Sequence, residues 1–326
     1  MLWFFVGIDQ HVNVLLMNSV RPSTQKTYDQ GLKSYRNFCE NYGLNPFPPT
    51  EASTLRYISH LDILNLRSQT IKVYIAGIDH LCVLKSWDKP SLLPRVKLLL
   101  RAISIKDAPR NSKLPITVDI LNIMKPLVLL DRVNGSMFWA AMCVAHFGLL
   151  RVSEFTVNTS FDHNQHVSLL GATVTKDRIT IVVPRSKTDT SNKGFQLNFI
   201  CNGTNVCPHC ALNRYFETLN FSNRDKPLFQ LANGKALTRC LFVEKTKDVL
   251  SSLGFSRKDY SSHSFRSGGA TSAAQVGLKD WQLKHLGRWK SEAYHSYVKP
   301  SQHMLEKLRA NLVGQNIDRD CYEFRF

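Results

Sequence analysis

The apolar positions in the first third of the chain repeat with the period of an amphipathic helix. Tyr28, Leu32 and Tyr35 recur every three to four residues, which predicts a helix capped by Ser23. Three prolines between residues 46 and 49 end this pattern, and Thr50 then suits the cap of the next helix. The same period predicts three further helices, over Glu51–Asn65, Ser68–Lys85 and Leu92–Ile105.

The pattern changes after a polar, basic segment with two prolines, at residues 107–115. Two helices are predicted first, over Val118–Leu130 and Ser136–Leu149, and runs rich in β-branched residues then predict strands. These runs predict strands over Ser168–Val174 and Ile179–Val183, and Phe195–Ile200 is the predicted return strand of a long hairpin. Helices return from Pro208 onwards and include a last one over Ser301–Leu312. Helices, a small antiparallel sheet and further helices define a mostly helical α+β fold.

This order predicts an N-terminal extension at residues 1–18, a helical domain at 19–106, a linker at 107–115 and a larger domain at 116–326. A chain of 326 residues is long enough for two domains. Lysine and arginine number 42 against 25 aspartate and glutamate residues, which gives a formal net charge of +17. Such a balance favours a polyanionic partner, most often nucleic acid, and a basic protein without one is the alternative.

Cysteine usage and the first residues bear on location. The eight cysteines are scattered, and several lie inside apolar runs, as reduced core cysteines do. The apolar first residues lack a basic start and are interrupted by polar residues between positions 9 and 13, so they predict neither a signal peptide nor a membrane span. We therefore expect an intracellular, reducing location with no membrane partner.

Arginine beside a carboxylate marks the first of four candidate motifs. In Phe147-Gly-Leu-Leu-Arg151-Val-Ser-Glu154, the carboxylate can orient the guanidinium for bidentate contact with a phosphate. Taken alone, a surface ion pair is the plainer interpretation.

The second motif is Lys187, at the tip of the predicted hairpin before Phe195–Ile200. A lysine at such a tip is usually just solvated, and Arg185 and Lys193 are neighbouring alternatives.

The third motif is His263-Ser-Phe-Arg266, and the run of small residues after it permits close helix packing. A spacing of three on a helix points both side chains from one face. The serines at 261 and 262 are candidates to cap this helix, whose N-terminus favours a phosphate.

The fourth motif, Leu286-Gly-Arg-Trp289, is followed by Tyr294 and Tyr297, which on their own suit one core-facing helical stripe.

Together and in this order, the motifs resemble those of the tyrosine recombinases, the phage-integrase family, over nearly the whole chain. The resemblance implies a helical core-binding domain that binds DNA at residues 19–106, and a catalytic domain at residues 116–326. The catalytic residues it implies are Arg151, Glu154, Lys187, His263, Arg266, Trp289 and Tyr297. In the family, a His or Trp follows the glycine of the fourth motif and helps hold the phosphate. Tyr297 matches the nucleophile because Val-Lys follows it, and Tyr294 is the alternative.

The resemblance also implies a mechanism and partners. The tyrosine would attack a DNA phosphate to give a 3′-phosphotyrosine, while Lys187 protonates the leaving 5′-oxygen, without metal, cofactor or ATP. Two duplexes of DNA would be held by a homotetramer. The pattern Gly-Arg-Trp-x-Ser-x-Ala-Tyr-x-x-Tyr resembles the recombinases of DIRS-type and Crypton-type eukaryotic mobile elements. Such an element implies a nuclear location, and any other source implies a cytoplasmic location with DNA.

Two alternatives keep the same resemblance but change the activity. A type IB topoisomerase-like enzyme would use the same chemistry on one duplex, and a domesticated, catalytically silent protein would only bind DNA. A zinc-dependent adaptor is the third alternative, built on Cys201-x5-Cys207-Pro-His-Cys210. A structural zinc site needs four ligands, however, and the sequence has no second Cys-x-x-Cys pair. The proline after Cys207 also suits the first turn of a helix.

Overall fold

The computed structural model describes residues 2–108, 112–158, 160–186, 193–219 and 224–299, together with 305, 306 and 309. The predicted mostly helical α+β fold class is confirmed, because eleven α-helices and one three-stranded antiparallel sheet lie in the described residues. No helix in these ranges is both long and apolar enough to cross a membrane. Lys187 and most of the predicted last helix, Ser301–Leu312, lie outside the described residues. The chain divides into two compact units, Met1–Arg110 and Asn111–Phe326.

The described part of the first unit is entirely helical, apart from its connections. Its helices are α1 (Leu2–Met17), α2 (Pro22–Asn41), α3 (Glu51–Ile63), α4 (Ser68–Leu84) and α5 (Pro94–Lys106). Thr50 caps α3 as predicted, since its side chain accepts a hydrogen bond from the backbone N–H of Ser53. The predicted cap at Ser23 is wrong, because α2 begins one residue earlier, at Pro22, where proline suits the first helical turn. The helix α1 was not predicted.

Two glycines let α2 and α4 approach closely. A Cβ atom on Gly31 would lie 2.8 Å from the Cα atom of Tyr74, and one on Gly77 would lie 2.9 Å from the carbonyl oxygen of Tyr28. The core of this unit is aromatic and aliphatic and is centred on Tyr35, which is fully buried and shares a hydrogen bond of 2.8 Å with Ser53.

The described second unit surrounds one apolar helix. Its elements are α6 (Val118–Leu129), α7 (Gly135–Phe147), β1 (Ala172–Val174), β2 (Arg178–Val183), β3 (Phe195–Ile200), α8 (Pro208–Phe216), α9 (Arg239–Ser252), α10 (Ser264–Gln275) and α11 (Asp280–Gly287). The helix α7 is apolar on all sides and is therefore buried among its neighbours. It ends where the first candidate motif begins.

The sheet has the order β1-β2-β3, and both pairs of strands are antiparallel. The predicted strand Ser168–Val174 is too long, because only Ala172–Val174 joins the sheet. Its first residues pair elsewhere: the backbone N–H of Leu169 donates to Lys226, and a turn closed by the N–H of Gly171 separates the two parts. The strands β2 and β3 form the predicted hairpin.

Candidate active site

The first motif follows the C-terminus of α7. The chain reverses at Leu149, which has a left-handed backbone (φ +48°), and Val152–Glu154 form a single 3-10 turn. The Glu154 side chain is almost completely buried. Its carboxylate accepts hydrogen bonds from the backbone N–H of Arg151 at 2.9 Å, from Arg151 Nη1 at 2.8 Å and from Ser186 Oγ at 2.8 Å. These charge-assisted contacts fix the direction of the Arg151 guanidinium.

Arg266 is the most deeply placed cation of the candidate site and is 0% exposed. Its Nη1 atom donates to the carbonyl of Leu149, and its Nη2 atom donates to the carbonyl of Gly287 at 2.7 Å. The guanidinium carbon lies 4.4 Å from the ring centre of Trp289 and 5.3 Å from that of Tyr297. Burial, and secondarily nearby positive charge, lower the pKa of Arg266 to about 10, so the side chain stays protonated at pH 7.

Arg288 is a residue of this site that the sequence analysis did not single out. It directly follows Gly287, which is the position where the resemblance expects a His or Trp, whereas Trp289 comes one residue later. Its backbone is left-handed (φ 56°, ψ 39°), and its Nη2 atom donates to the carbonyls of residues 148 and 149 at 3.0 and 3.1 Å. The same atom lies 3.8 Å from the Glu154 carboxylate. The position directly after Gly287 in the fourth motif is the sequence signal that identifies Arg288.

Three buried N–H groups in this region have no hydrogen-bond partner among the described residues. They belong to the Nε atoms of Arg266 and Arg288 and to the Nε1 atom of Trp289. Buried donors in native proteins are nearly always satisfied, so an unpaired group calls for an explanation. An anion that accepts from such groups is one explanation that also suits their charge.

His263 and Tyr297 lie near each other, and the Tyr297 ring lies against Arg266. The helix α10 begins at Ser264, and His263 is the exposed residue before it, with its ring centre 6.4 Å from that of Tyr297. The predicted caps at 261 and 262 are wrong, because a turn at residues 261–264 precedes the helix and the 261 hydroxyl accepts from the backbone N–H of His263. Tyr297 is half-buried, and the Ser267 hydroxyl donates to its carbonyl at 2.6 Å.

Tyr294 has different surroundings. Instead of a regular helix, Glu292–Ser296 form a 3-10 segment, so the predicted helical stripe of two tyrosines is wrong. Tyr294 is 2% exposed and packs on Trp289 in a small core cluster. Burial, and then a hydrogen bond with the carboxylate of Asp280, raise the pKa of Tyr294 to about 12.

The predicted hairpin lysine, Lys187, lies outside the described residues. Ser186, the residue before it, is buried and contacts both members of the first motif, with its Oγ atom accepting from Arg151 Nη1 at 3.3 Å. The two alternatives are both exposed, and Arg185 donates to Gln165 at 3.4 Å. Ser186, which follows β2 by three residues, therefore contacts the Arg151–Glu154 pair. The role of Lys187 stays a prediction.

A separate set of side chains has the chemistry of metal ligands. Cys201, His209 and Cys210 bring one ligand atom each to within 4.8 Å of the other two. These residues lie at the end of β3 and at the start of α8, and none belongs to the four candidate motifs.

Comparisons with known proteins agree with this fold. No family model matches the chain. The chain is 22% identical, over 87% of its length and 83% of the relative, to the integrase/recombinase XerD homolog of Selenomonas ruminantium. Among solved structures, a XerH site-specific recombinase bound to its difH substrate matches 88% of this chain and 79% of its own, with a TM-score of 0.62 and 14% identity. The Tn1549 transposon integrase in complex with transposon right-end DNA matches 93% and 99%, with a TM-score of 0.58 and 13% identity.

The fold is therefore that of the tyrosine recombinases, with the small sheet and helices of their catalytic domain. The chain is therefore similar to these recombinases and integrases in fold, and to the XerD homolog in sequence.

Proposed function

We propose that this protein is a site-specific DNA recombinase that breaks and rejoins DNA through a 3′-phosphotyrosyl intermediate on Tyr297. The observation that carries the proposal is the position of Tyr297, whose ring lies against the buried Arg266 guanidinium and faces His263. A nucleophilic phenol beside a fixed cation and a polar, exposed imidazole suits attack on a phosphodiester.

The surroundings of Tyr297 suit a phosphate as the bound group. Arg151, held by Glu154, and Arg266, held by two backbone carbonyls, are pre-oriented cations, so little reorganisation is needed when charge develops on the phosphate. The unpaired N–H groups of Arg266, Arg288 and Trp289 supply further donors. The net charge of +17 favours DNA as the polyanion that brings this phosphate. The XerH and Tn1549 structures, which share the fold, are complexes with DNA.

In the proposed reaction, Tyr297 Oη attacks phosphorus and the bond from phosphorus to the 5′-oxygen breaks. Lys187 donates a proton to that leaving oxygen, and the phenol passes its own proton to the nearby His263 imidazole as the new bond forms. A 5′-hydroxyl of another strand then attacks the phosphotyrosine and reverses the chemistry. The phosphodiester energy is retained throughout, so neither ATP nor a metal ion is required.

Two positions of the fourth motif have distinct roles in this proposal. Arg288 takes the place expected for a His or Trp, and besides offering its unpaired Nε–H group to the phosphate, its guanidinium links the end of α7 with Glu154. Trp289 packs its ring against Arg266 and against both tyrosines, with centroid distances of 5.3 Å to Tyr297 and 6.3 Å to Tyr294. Its role is to hold Tyr297 against Arg266.

The partners follow from the same proposal. Recombination joins two duplexes, so we propose a homotetramer on double-stranded DNA, with the helical domain at residues 19–106 contributing further contacts. The pattern from Gly287 to Tyr297 supports an origin in a DIRS-type or Crypton-type mobile element, and with it a nuclear location.

The test is a search for a denaturant-resistant protein–DNA adduct. Wild-type protein, Tyr297→Phe and Tyr294→Phe are incubated with nicked duplexes from a library that includes the DNA flanking the gene. We expect adducts with wild type and with Tyr294→Phe, and none with Tyr297→Phe, because only the Tyr297 hydroxyl becomes bonded to phosphorus. DNA affinity is expected to change by less than about twofold, since one hydroxyl among many phosphate contacts is lost.

The two tyrosine variants are matched controls for each other, because each removes one hydroxyl three residues from the other. Loss of the adduct only in Tyr294→Phe would keep the class of enzyme and move the nucleophile. Salt-sensitive DNA binding without an adduct from any of the three proteins would contradict catalysis and favour the protein that only binds DNA. A protein that forms adducts and relaxes supercoiled DNA, but never joins two duplexes, would favour the topoisomerase-like enzyme.

A further inference from the structure

Three potential metal ligands lie together where β3 leads to α8, and a fourth, Cys207, contacts one of them. Cys201 directly follows β3, Cys207 is the residue before α8, and His209 and Cys210 lie in the first turn of α8. Sequence reasoning disfavoured zinc here because a second Cys-x-x-Cys pair is missing. The fold supplies the missing ligands differently, because the chain returns from Cys201 to the start of α8 over a short loop.

The distances between sulfur atoms suit a shared metal ion. The Sγ atom of Cys201 lies 3.5 Å from that of Cys210 and 3.9 Å from that of Cys207. A tetrahedral zinc ion with Zn–S bonds of about 2.3 Å holds its sulfur ligands about 3.8 Å apart, which lies between these two distances. A disulfide needs sulfur atoms about 2.05 Å apart, so the observed spacing describes three separate thiols.

His209 gives an independent indication of a ligand. Its side chain is 6% exposed, and its Nε2 atom is buried without a hydrogen-bond partner among the described residues. One imidazole nitrogen lies within 4.8 Å of the Sγ atoms of Cys201 and Cys210. A buried ring nitrogen that lacks a partner is costly, and coordination of a metal ion would satisfy it.

We propose that Cys201, Cys207, His209 and Cys210 bind one zinc ion as a structural Cys3His site. Four protein ligands close the coordination shell, so the site has no open position for catalysis. Cys201 and Cys210 are exposed, which gives the ion a path of entry. The ion would tie the end of β3 to the start of α8 and so secure the return strand of the β2–β3 hairpin. This site is independent of the proposed recombinase activity.

The first measurement is the metal content of the purified full-length protein after dialysis against metal-free buffer. We expect about one zinc ion per chain in the wild type and in the control Cys240→Ser, since Cys240 is an exposed cysteine outside the cluster. Cys201→Ser, Cys210→Ser and His209→Gln are expected to lose most of the zinc, because each removes one ligand. Zinc at the wild-type level in all three variants would overturn the proposal.

Two measurements on the wild type need no variant and so do not depend on its folding. Thiol modification with a mercurial reagent should release about one equivalent of zinc into a colorimetric indicator. Exchange of zinc for Co²⁺ should give thiolate-to-cobalt charge transfer together with the intense visible bands of a tetrahedral ion. Protein with less than about a tenth of an equivalent of zinc and no such cobalt spectrum would overturn the proposal. So would a mass two daltons low, which would indicate a disulfide.

Discussion

Tyr297 and Tyr294 are three residues apart, but their surroundings differ in charge and in access. Tyr297 is half-buried and lies against the Arg266 guanidinium, with the exposed His263 imidazole nearby. Tyr294 is 2% exposed, and its pKa is raised to about 12 by burial and by the Asp280 carboxylate. Although Lys284 lies 5.4 Å from its ring, that ammonium is already paired with a carboxylate.

The comparison teaches that the backbone, and not the residue type, separates the two phenols. A regular helix would place residues three apart on one face. The 3-10 segment Glu292–Ser296 instead turns one tyrosine into a core cluster and leaves the other at its end, beside α10. One phenol therefore has a fixed cation beside it and the other has acidic neighbours, and only the first suits a nucleophile that attacks a phosphate.

The strongest way to test the surroundings of Tyr297 is to change Arg266 while keeping its charge. Arg266→Lys retains a cation but loses the paired hydrogen bonds that the guanidinium donates to the carbonyls of Leu149 and Gly287. We expect cleavage to fall by about 10²–10³-fold, the usual effect of losing one oriented donor from a charge-stabilising site. Single-turnover cleavage of a nicked substrate at saturating protein measures this.

Arg178→Lys is the matched control, because Arg178 is exposed at the start of β2. It should cleave at the wild-type rate. An Arg266→Lys protein that stays folded and cleaves within about tenfold of wild type would contradict the central role given to this guanidinium.

A second prediction perturbs the ring that both tyrosines share. A Cβ atom on Gly287 would lie 1.7 Å from the nearest ring atom of Trp289, so Gly287→Ala must displace that ring. We expect a loss of stability of roughly 1–3 kcal/mol from overpacking. Because Trp289 packs on Tyr297, cleavage should also fall by about 10²-fold, as for a small misplacement of a reacting group. Chemical denaturation and single-turnover cleavage measure the two effects.

Gly7→Ala serves as the control for added bulk, because a Cβ atom on Gly7 meets nothing within 4 Å and the residue lies inside α1. It should retain both stability and activity. Wild-type cleavage by a destabilised Gly287→Ala protein would show that Trp289 supports the fold but does not position Tyr297.

Some of this arrangement could be predicted from the sequence, because its signals are local. The period of apolar residues predicted α2 to α7, Thr50 marked the start of α3, and a β-branched run predicted β2. Local signals failed where long-range pairing decided the outcome. The backbone of Leu169 pairs with Lys226 instead of extending β1, and the residues near Leu169 in sequence do not predict this pairing.

The candidate site shows the same division. The resemblance of their motifs to those of the tyrosine recombinases implied Arg151, Glu154 and Arg266, and the fold brings them close to the end of α7. Arg288 was not predicted, because Trp289 after it was taken as the residue that helps hold the phosphate. The left-handed backbone of Arg288 and its contact with Glu154 cannot be predicted from the spacing of the motif. The convergence of Cys201 on α8 depends equally on the path of the chain after β3.

The smallest expected effect belongs to Tyr294. Asp280→Asn removes the carboxylate that, after burial, raises the pKa of Tyr294 to about 12. A carboxylate favours the neutral phenol, so its removal should let Tyr294 ionise at a lower pH, between about 10 and 12. Titration of ¹³C-labelled tyrosine by NMR measures this, with Tyr294→Phe to identify the resonance. Cleavage at pH 7 should change by less than about twofold, because the phenol of Tyr294 is neutral there in both proteins. A tenfold loss of cleavage in Asp280→Asn, without loss of stability, would mean that the acidic side of this segment takes part in the reaction and that the contrast between the two tyrosines is incomplete.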